Sequence, residues 1–151
     1  MAFTVRAYEH RDADGILRLY RLAGSWFEDV EVTRDFIVAS SERPDFRFQV
    51  AEDGKSMVGF IGALYFKAVG RAELGPIAVD ESIRCIGVGS ALVASMMRFL
   101  SVEGIRRVTV KVKSENKAAI GFFIGKGFSH DAYLRRYTLK GEDVVELTAS
   151  L

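Results

Sequence analysis

The chain has 151 residues, one ordinary domain's worth, with 49% hydrophobic and 27% charged residues. That composition excludes disordered, fibrous and low-complexity classes. Lys and Arg total 21 against 20 for Asp and Glu, and the resulting net charge of +1 gives no bulk argument for nucleic acid or a membrane surface as partner. One cysteine, Cys85, and two histidines, His10 and His130, exclude an intramolecular disulfide and a thiolate- or His-rich metal centre, so no metal is expected. The chain opens without an apolar signal core, and no stretch reaches the ~18 apolar residues of a membrane span. The expectation is a cytoplasmic protein, monomer or homodimer, with residues 1–151 forming a single domain.

In chain order, alternating Phe3, Val5 and Ala7 predict a strand, and Ile16, Leu17, Leu19, Tyr20 and Leu22 a helix capped by Asp12 or Asp14. Gly24 breaks that helix, residues 27–31 are acidic, and Thr33 opens a second helix that stops before Pro44. Phe46, Phe48 and Val50 form a strand ending at the Asp53-Gly54 turn. Met57 to Phe66 is almost continuously apolar, as in a central strand, with Gly59 and Gly62 marking a bulge or close approach. A strand at 72–79 follows, then a helix from Val88 to Leu100 stopped by Gly104. Val108, Val110 and Val112 alternate in another strand, residues 116–125 form a helix, and 128–139 with 144–147 form a final hairpin. The order β-α-α-β-β-β-α-β-α-β-β describes one α/β domain with a mixed sheet.

The chemistry signal is Arg84-Cys85-Ile86-Gly87-Val88-Gly89-Ser90, between a strand and a helix. Glycines admit a ligand without Cβ obstruction, and the free N–H groups and dipole of the helix start favour an anion. Arg84 adds a planar fork suited to phosphate. The spacing fits neither a dinucleotide fingerprint, since Leu92 stands where a third small residue is needed, nor a P-loop, which needs Gly-Lys-Ser/Thr.

Arg84-x-x-Gly87-x-Gly89 resembles the pyrophosphate loop of the GNAT superfamily of N-acetyltransferases. Leu74-Gly75-Pro76-Ile77-Ala78-Val79 looks like that family's fourth strand, and residues 116–128 are similar to its Asn-x-x-Ala-x-x-Phe-Tyr-x-x-x-Gly-Phe segment. The resemblance implies a single-domain GNAT fold: a mixed, mostly antiparallel central sheet of about seven strands flanked by about four helices. Two of its central strands, 74–79 and 105–113, splay apart. It implies acetyl-coenzyme A as cofactor and direct acetyl transfer to an amine in a ternary complex, the acceptor being an amine-bearing small molecule or peptide. The pyrophosphate would lie on the amides of Ile86, Gly87, Val88, Gly89 and Ser90, beside Arg84 and Cys85. The pantetheine arm would pair with the backbone of Ile77, Ala78 and Val79, and the Ile77 N–H would polarise the thioester carbonyl. Asn116, Phe122, Phe123 and Lys126 would flank the cofactor, Asn116 also serving as a helix cap.

Phe123 departs from the family, in which many members carry a Tyr able to protonate the leaving thiolate. Either Tyr137, Tyr133, Tyr65 or water substitutes, or the thiolate leaves unassisted, and a catalytically silent coenzyme-A-binding module is the alternative function. Glu73 matches a base glutamate of the histone-acetylating branch and, without an intervening bulge, shares a strand face with Ile77. On the acceptor side stand Trp26, Phe27 and Glu28 of the acidic segment, with Tyr137 near the carboxy terminus. The cations Arg106, Arg107, Lys111, Lys113 and Lys117 lack interleaved aromatics and read as a solvated face near an anionic cofactor.

Overall fold

The computed structural model describes residues 2–22, 31–54, 56–82 and 87–151. Alternation of apolar residues produces seven strands: β1 Thr4–Ala7, β2 Phe46–Glu52, β3 Met57–Phe66, β4 Arg71–Val79, β5 Arg107–Lys113, β6 Ser129–Leu134 and β7 Val144–Ser150. They form one sheet of order β1-β2-β3-β4-β5-β7-β6, antiparallel throughout except for β4 and β5. Four helices cover it: α1 Ala13–Leu22, α2 Arg34–Ser41, α3 Val88–Val102 and α4 Lys117–Gly125. Short 3-10 turns at His10–Asp12 and Lys67–Val69 complete the described elements. Among the described residues no helix is long and apolar enough to cross a membrane.

Each face of the sheet buries its own cluster. On the α3 and α4 side, Leu92, Met96 and Leu100 of α3 meet Ile61, Leu74, Val108 and Val110. On the other side, Ile16 and Leu19 of α1 and Ile37 of α2 meet Phe48, Val50 and Phe60. Thr33 caps α2 by accepting a hydrogen bond from the Phe36 N–H at 3.1 Å, as its position before the apolar run predicts.

Between β3 and β4 the register jumps. Ile61 pairs with Ile77 but Ala63 with Leu74, so β4 carries one extra residue opposite Gly62. Gly62 is required there, because a Cβ would come within 2.7 Å of the Phe46 ring and 2.9 Å of the Gly75 carbonyl oxygen. The bulge reverses side-chain alternation: Ala72 and Leu74 face α3, and so do Ile77 and Val79, whereas Ala78 faces α1. Glu73, between Ala72 and Leu74, therefore faces α1 and α2. The expectation that Glu73 and Ile77 share a face is corrected by this inserted residue, which shifts the two-residue period by one.

The final hairpin also differs from expectation. β6 stops at Leu134 rather than continuing to 139, because Arg136 takes a positive φ of 52° and its N–H donates to Asp143 Oδ1 at 2.9 Å. The other Asp143 oxygen accepts from Tyr133 Oη at 2.7 Å, and Lys113 Nζ lies 3.2 Å from Glu142. These bonds pin a loop, 135–143, whose first part, to 139, alternation alone reads as strand.

At the opposite end, Arg6 clamps three elements. Its guanidinium donates to both Asp12 oxygens at 2.8 Å and to both Glu52 oxygens at 2.9 and 3.0 Å. Asp12 is 6% exposed; burial pushes its pKa up, but Arg6 and the Glu9 N–H outweigh that and hold it below the usual carboxylate value. Arg6 lowers Glu52 likewise. Carboxylates with depressed folded pKa values stabilise the fold at neutral pH and lose that contribution as pH falls below about 4 toward their folded values. Arg6→Ala should therefore cost about 2 kcal/mol at pH 7, and the difference from the parent chain should shrink in urea titrations taken progressively below about pH 4.

Candidate active site

β4 and β5 pair only from Arg71↔Arg107 to Leu74↔Val110. Beyond Leu74, Pro76 has no N–H to donate, and the extra residue of β4 breaks the periodicity that a continued ladder needs. β4 stays with β3 through Ile61↔Ile77 and Gly59↔Val79, while β5 stays with β7 through Lys113↔Val144. The two strands part, as the resemblance implies. The gap widens into a cleft of about 890 Å³ walled by Ile77, Ala78 and Val79 on one side and Val110 to Lys113 on the other. An edge of this kind offers main-chain groups to an extended ligand.

At one end of the cleft lies the start of α3. Gly87 is its N-cap at φ +88°, a conformation that favours glycine, and the first turn carries no acidic residue. Gly89 lines the cleft, and a Cβ there would meet the Phe122 ring at 3.5 Å and the Val79 side chain at 3.8 Å, both ordinary contacts. Val88 is buried beneath the turn, so the amides of Val88, Gly89 and Ser90 form the anion-favouring surface. Arg84, Cys85 and Ile86 lie outside the described residues. Asp80 fixes the approach to this turn: one oxygen accepts from Ser82 N–H and Oγ at 3.1 and 2.6 Å, the other from Arg18 at 3.2 Å, and the Ser82 bonds in particular lower its pKa.

α4 supplies the floor. Asn116 caps it, Oδ1 accepting from the Ala119 N–H at 3.1 Å, and also lines the cleft. Phe122 and Phe123 line the cleft and meet edge-to-face at 5.1 Å, with Phe123 4% exposed and stacked in turn on Phe128. Lys126 sits at the end of α4, its Nζ 5.5 Å from the Phe122 ring centre.

Where the strands part, Lys111 Nζ donates to Glu73 Oε1 at 2.6 Å and lies 5.8 Å from the Tyr137 ring centre. The Lys111 side chain is only 17% exposed. Burial opposes its charge, but the hydrogen bond and attraction of Glu73 more than offset that and raise its pKa above the ordinary lysine value. Lys111 is the residue that sequence reasoning missed as part of the site. Alternation along β5 already put it on the face opposite Val110 and Val112, but only the parallel pairing of Glu73 with Thr109 brings that face to Glu73. Of the basic run, Arg106, Arg107 and Lys117 are exposed, as a solvated face requires, whereas Lys111 and Lys113 are half-buried and pair with Glu73 and Glu142. Tyr137 reaches this cluster, whereas Tyr133 is bound to Asp143, and Tyr65 packs edge-to-face on Phe99 of α3, on a β3 position paired with Ala72. Trp26, Phe27 and Glu28 lie outside the described residues. Among the described residues no group of His, Cys, Asp and Glu could hold a metal.

Residues 14–128 match the sequence model of the acetyltransferase (GNAT) family. The chain is 29% identical over 160 residues to an N-alpha-acetyltransferase of Sulfurisphaera tokodaii, covering 99% of this chain and 93% of that protein. It is 31% identical over 90 residues to the ribosomal protein bS18-alanine N-acetyltransferase of Escherichia coli, 60% and 59% of the two lengths. Among solved structures, Ard1 from Thermoplasma volcanium matches with a TM-score of 0.86 and 25% identity over 100% of this chain and 99% of that one. The acetyltransferase YncA of Salmonella typhimurium, solved with acetyl-CoA, shares the fold with a TM-score of 0.87 and 19% identity over 100% and 95%. If the space beside Gly89 receives the cofactor's phosphates, Gly89→Glu should weaken coenzyme A binding by about 100-fold or more in calorimetry, through bulk and like charge. A family match over most of the sequence, on a fold whose parted central strands form the cleft just described, makes this chain a member of the acetyltransferase (GNAT) family.

Proposed function

We propose that residues 1–151 act as one catalytic unit that moves the acetyl group of acetyl-CoA directly to a primary amine, the α-amine of a peptide or protein amino terminus. The carrying observation is the cleft between β4 and β5, which leads from the amides of α3 to the Lys111–Glu73 pair. The relatives named for amino-terminal acetylation support the choice of amine.

The residues present fit the cofactor: an uncrowded glycine turn for phosphates, an unpaired strand edge for an extended arm, and an apolar floor. Gly87 to Ser90 would hold the pyrophosphate, Ile77 to Val79 the arm, and Asn116, Phe122, Phe123 and Lys126 its flank. When bound, acetyl-CoA supplies a thioester carbonyl carbon open to attack by an amine. The Ile77 N–H is the donor for the carbonyl oxygen; being a backbone group, it is unaffected by the side-chain reversal at the bulge. Glu73 accepts the proton that the amine must lose, directly or through water, from the face turned toward α1 and α2. Lys111 takes one of its oxygens and fixes the carboxylate at the mouth of the cleft. A C–N bond forms as the C–S bond breaks. Buried Phe123 cannot donate to the leaving sulfur; Tyr137, whose ring centre lies 5.8 Å from Lys111 Nζ, is the candidate donor.

Glu73→Gln should lower kcat by about 100-fold or more, with the KM for acetyl-CoA nearly unchanged, in a thiol-release assay. An unchanged kcat at saturating acceptor would assign proton removal to another group. Coenzyme A binding without thiol release across a panel of amines and peptides would favour the silent module suggested by Phe123.

A further inference from the structure

The face of the sheet opposite α3 carries a second cavity, of about 410 Å³, between α1, α2 and strands β2 to β4. Its walls are mainly apolar: Ile16 of α1, Phe36 and Ile37 of α2, and Phe46 and Leu64 of the sheet. Leu64 lies directly across the β3–β4 ladder from Glu73. Two of the lining side chains are charged, and they differ. Arg43 is held by Asp45 through hydrogen bonds of 2.8 and 2.9 Å, whereas among the described residues the Glu73 carboxylate is bonded only by Lys111, at Oε1.

This groove and the cleft between β4 and β5 adjoin. Tyr20 and Pro76 line both, and the Lys111–Glu73 bond spans them, Lys111 in the cleft wall and Glu73 in the groove wall. This arrangement depends on the bulge at Gly75 and Pro76, which leaves Glu73 on the groove side and Ile77 on the other. An amine placed at Glu73 with its nitrogen toward the cleft has its own carbon at the entrance of the apolar groove.

We infer that the groove is a subsite for a large apolar substituent on the carbon bearing the acceptor amine, which for a peptide is a first residue such as Leu, Met or Phe. This rests on the acetyl-transfer reading above and narrows its acceptor. A small or polar first residue leaves the walls wet, whereas burial of a large apolar one gains about 25 cal/mol per Å². One or two methylenes in such a pocket are typically worth about 10- to 200-fold in kcat/KM.

The test uses peptides identical but for a first residue of Ser, Ala, Leu or Phe, assayed for thiol release at saturating acetyl-CoA. The expected result is kcat/KM at least about tenfold higher for Leu and Phe than for Ala and Ser. Phe36→Ala, at a position 51% exposed and so tolerant of truncation, should narrow the Leu-to-Ala ratio several-fold, and Leu64→Trp should narrow it further. Turnover of Ala or Ser peptides as good as that of Leu and Phe overturns the subsite while leaving acetyl transfer intact. A Leu-to-Ala ratio unmoved in folded Phe36→Ala and Leu64→Trp places the preference elsewhere and overturns it too. Turnover of none of the four overturns the peptide reading itself, and the subsite with it.

Discussion

The site depends on the interruption of the β4–β5 ladder after Leu74↔Val110. A parallel pair buried at the centre of a sheet would normally continue, since unpaired central backbone is costly. Here a proline without an N–H and one inserted residue stop it, and each strand keeps its other neighbour, β3 or β7. The sheet therefore holds together on both flanks while opening along its middle.

The same insertion sorts the chemistry by face. Ile77 and Val79 pack toward α3, the side of the glycine turn, whereas Glu73 turns toward α1 and α2. Ile77 and Glu73 thus lie on opposite faces of one strand, and the Lys111–Glu73 bond ties β5 to β4 on the Glu73 face. Polar clamps hold the flanks of the sheet as well. Arg6 joins Asp12 and Glu52 at one end, and Asp143 with Glu142 anchors the loop that brings Tyr137 to Lys111 at the other. These are polar clamps on segments too short to be held by apolar burial alone.

Much of this was legible in the chain. The element order follows from periods of 2 and 3.6, the caps of α2 and α4 from Thr33 and Asn116, and the turn that opens α3 from Gly87 and Gly89. The glycine at 62 signalled a close approach that the Phe46 ring and the Gly75 carbonyl fulfil. What misled was strict alternation: it extended β6 past Leu134 and put Glu73 on the face of Ile77, because neither the Asp143 bonds nor the β4 insertion shows in a two-residue pattern.

The sequence by itself determined the kinds of element, their order and the local chemistry of the glycine turn, because these rest on neighbours within a few residues. The tertiary structure alone decided the partner of Glu73, the standing of Lys111 and the meeting of groove and cleft. Those depend on register between strands 38 residues apart along the chain, as in the Lys111–Glu73 bond. A single inserted residue sets that geometry, and a period of two cannot report a shift by one until a second strand is laid beside it.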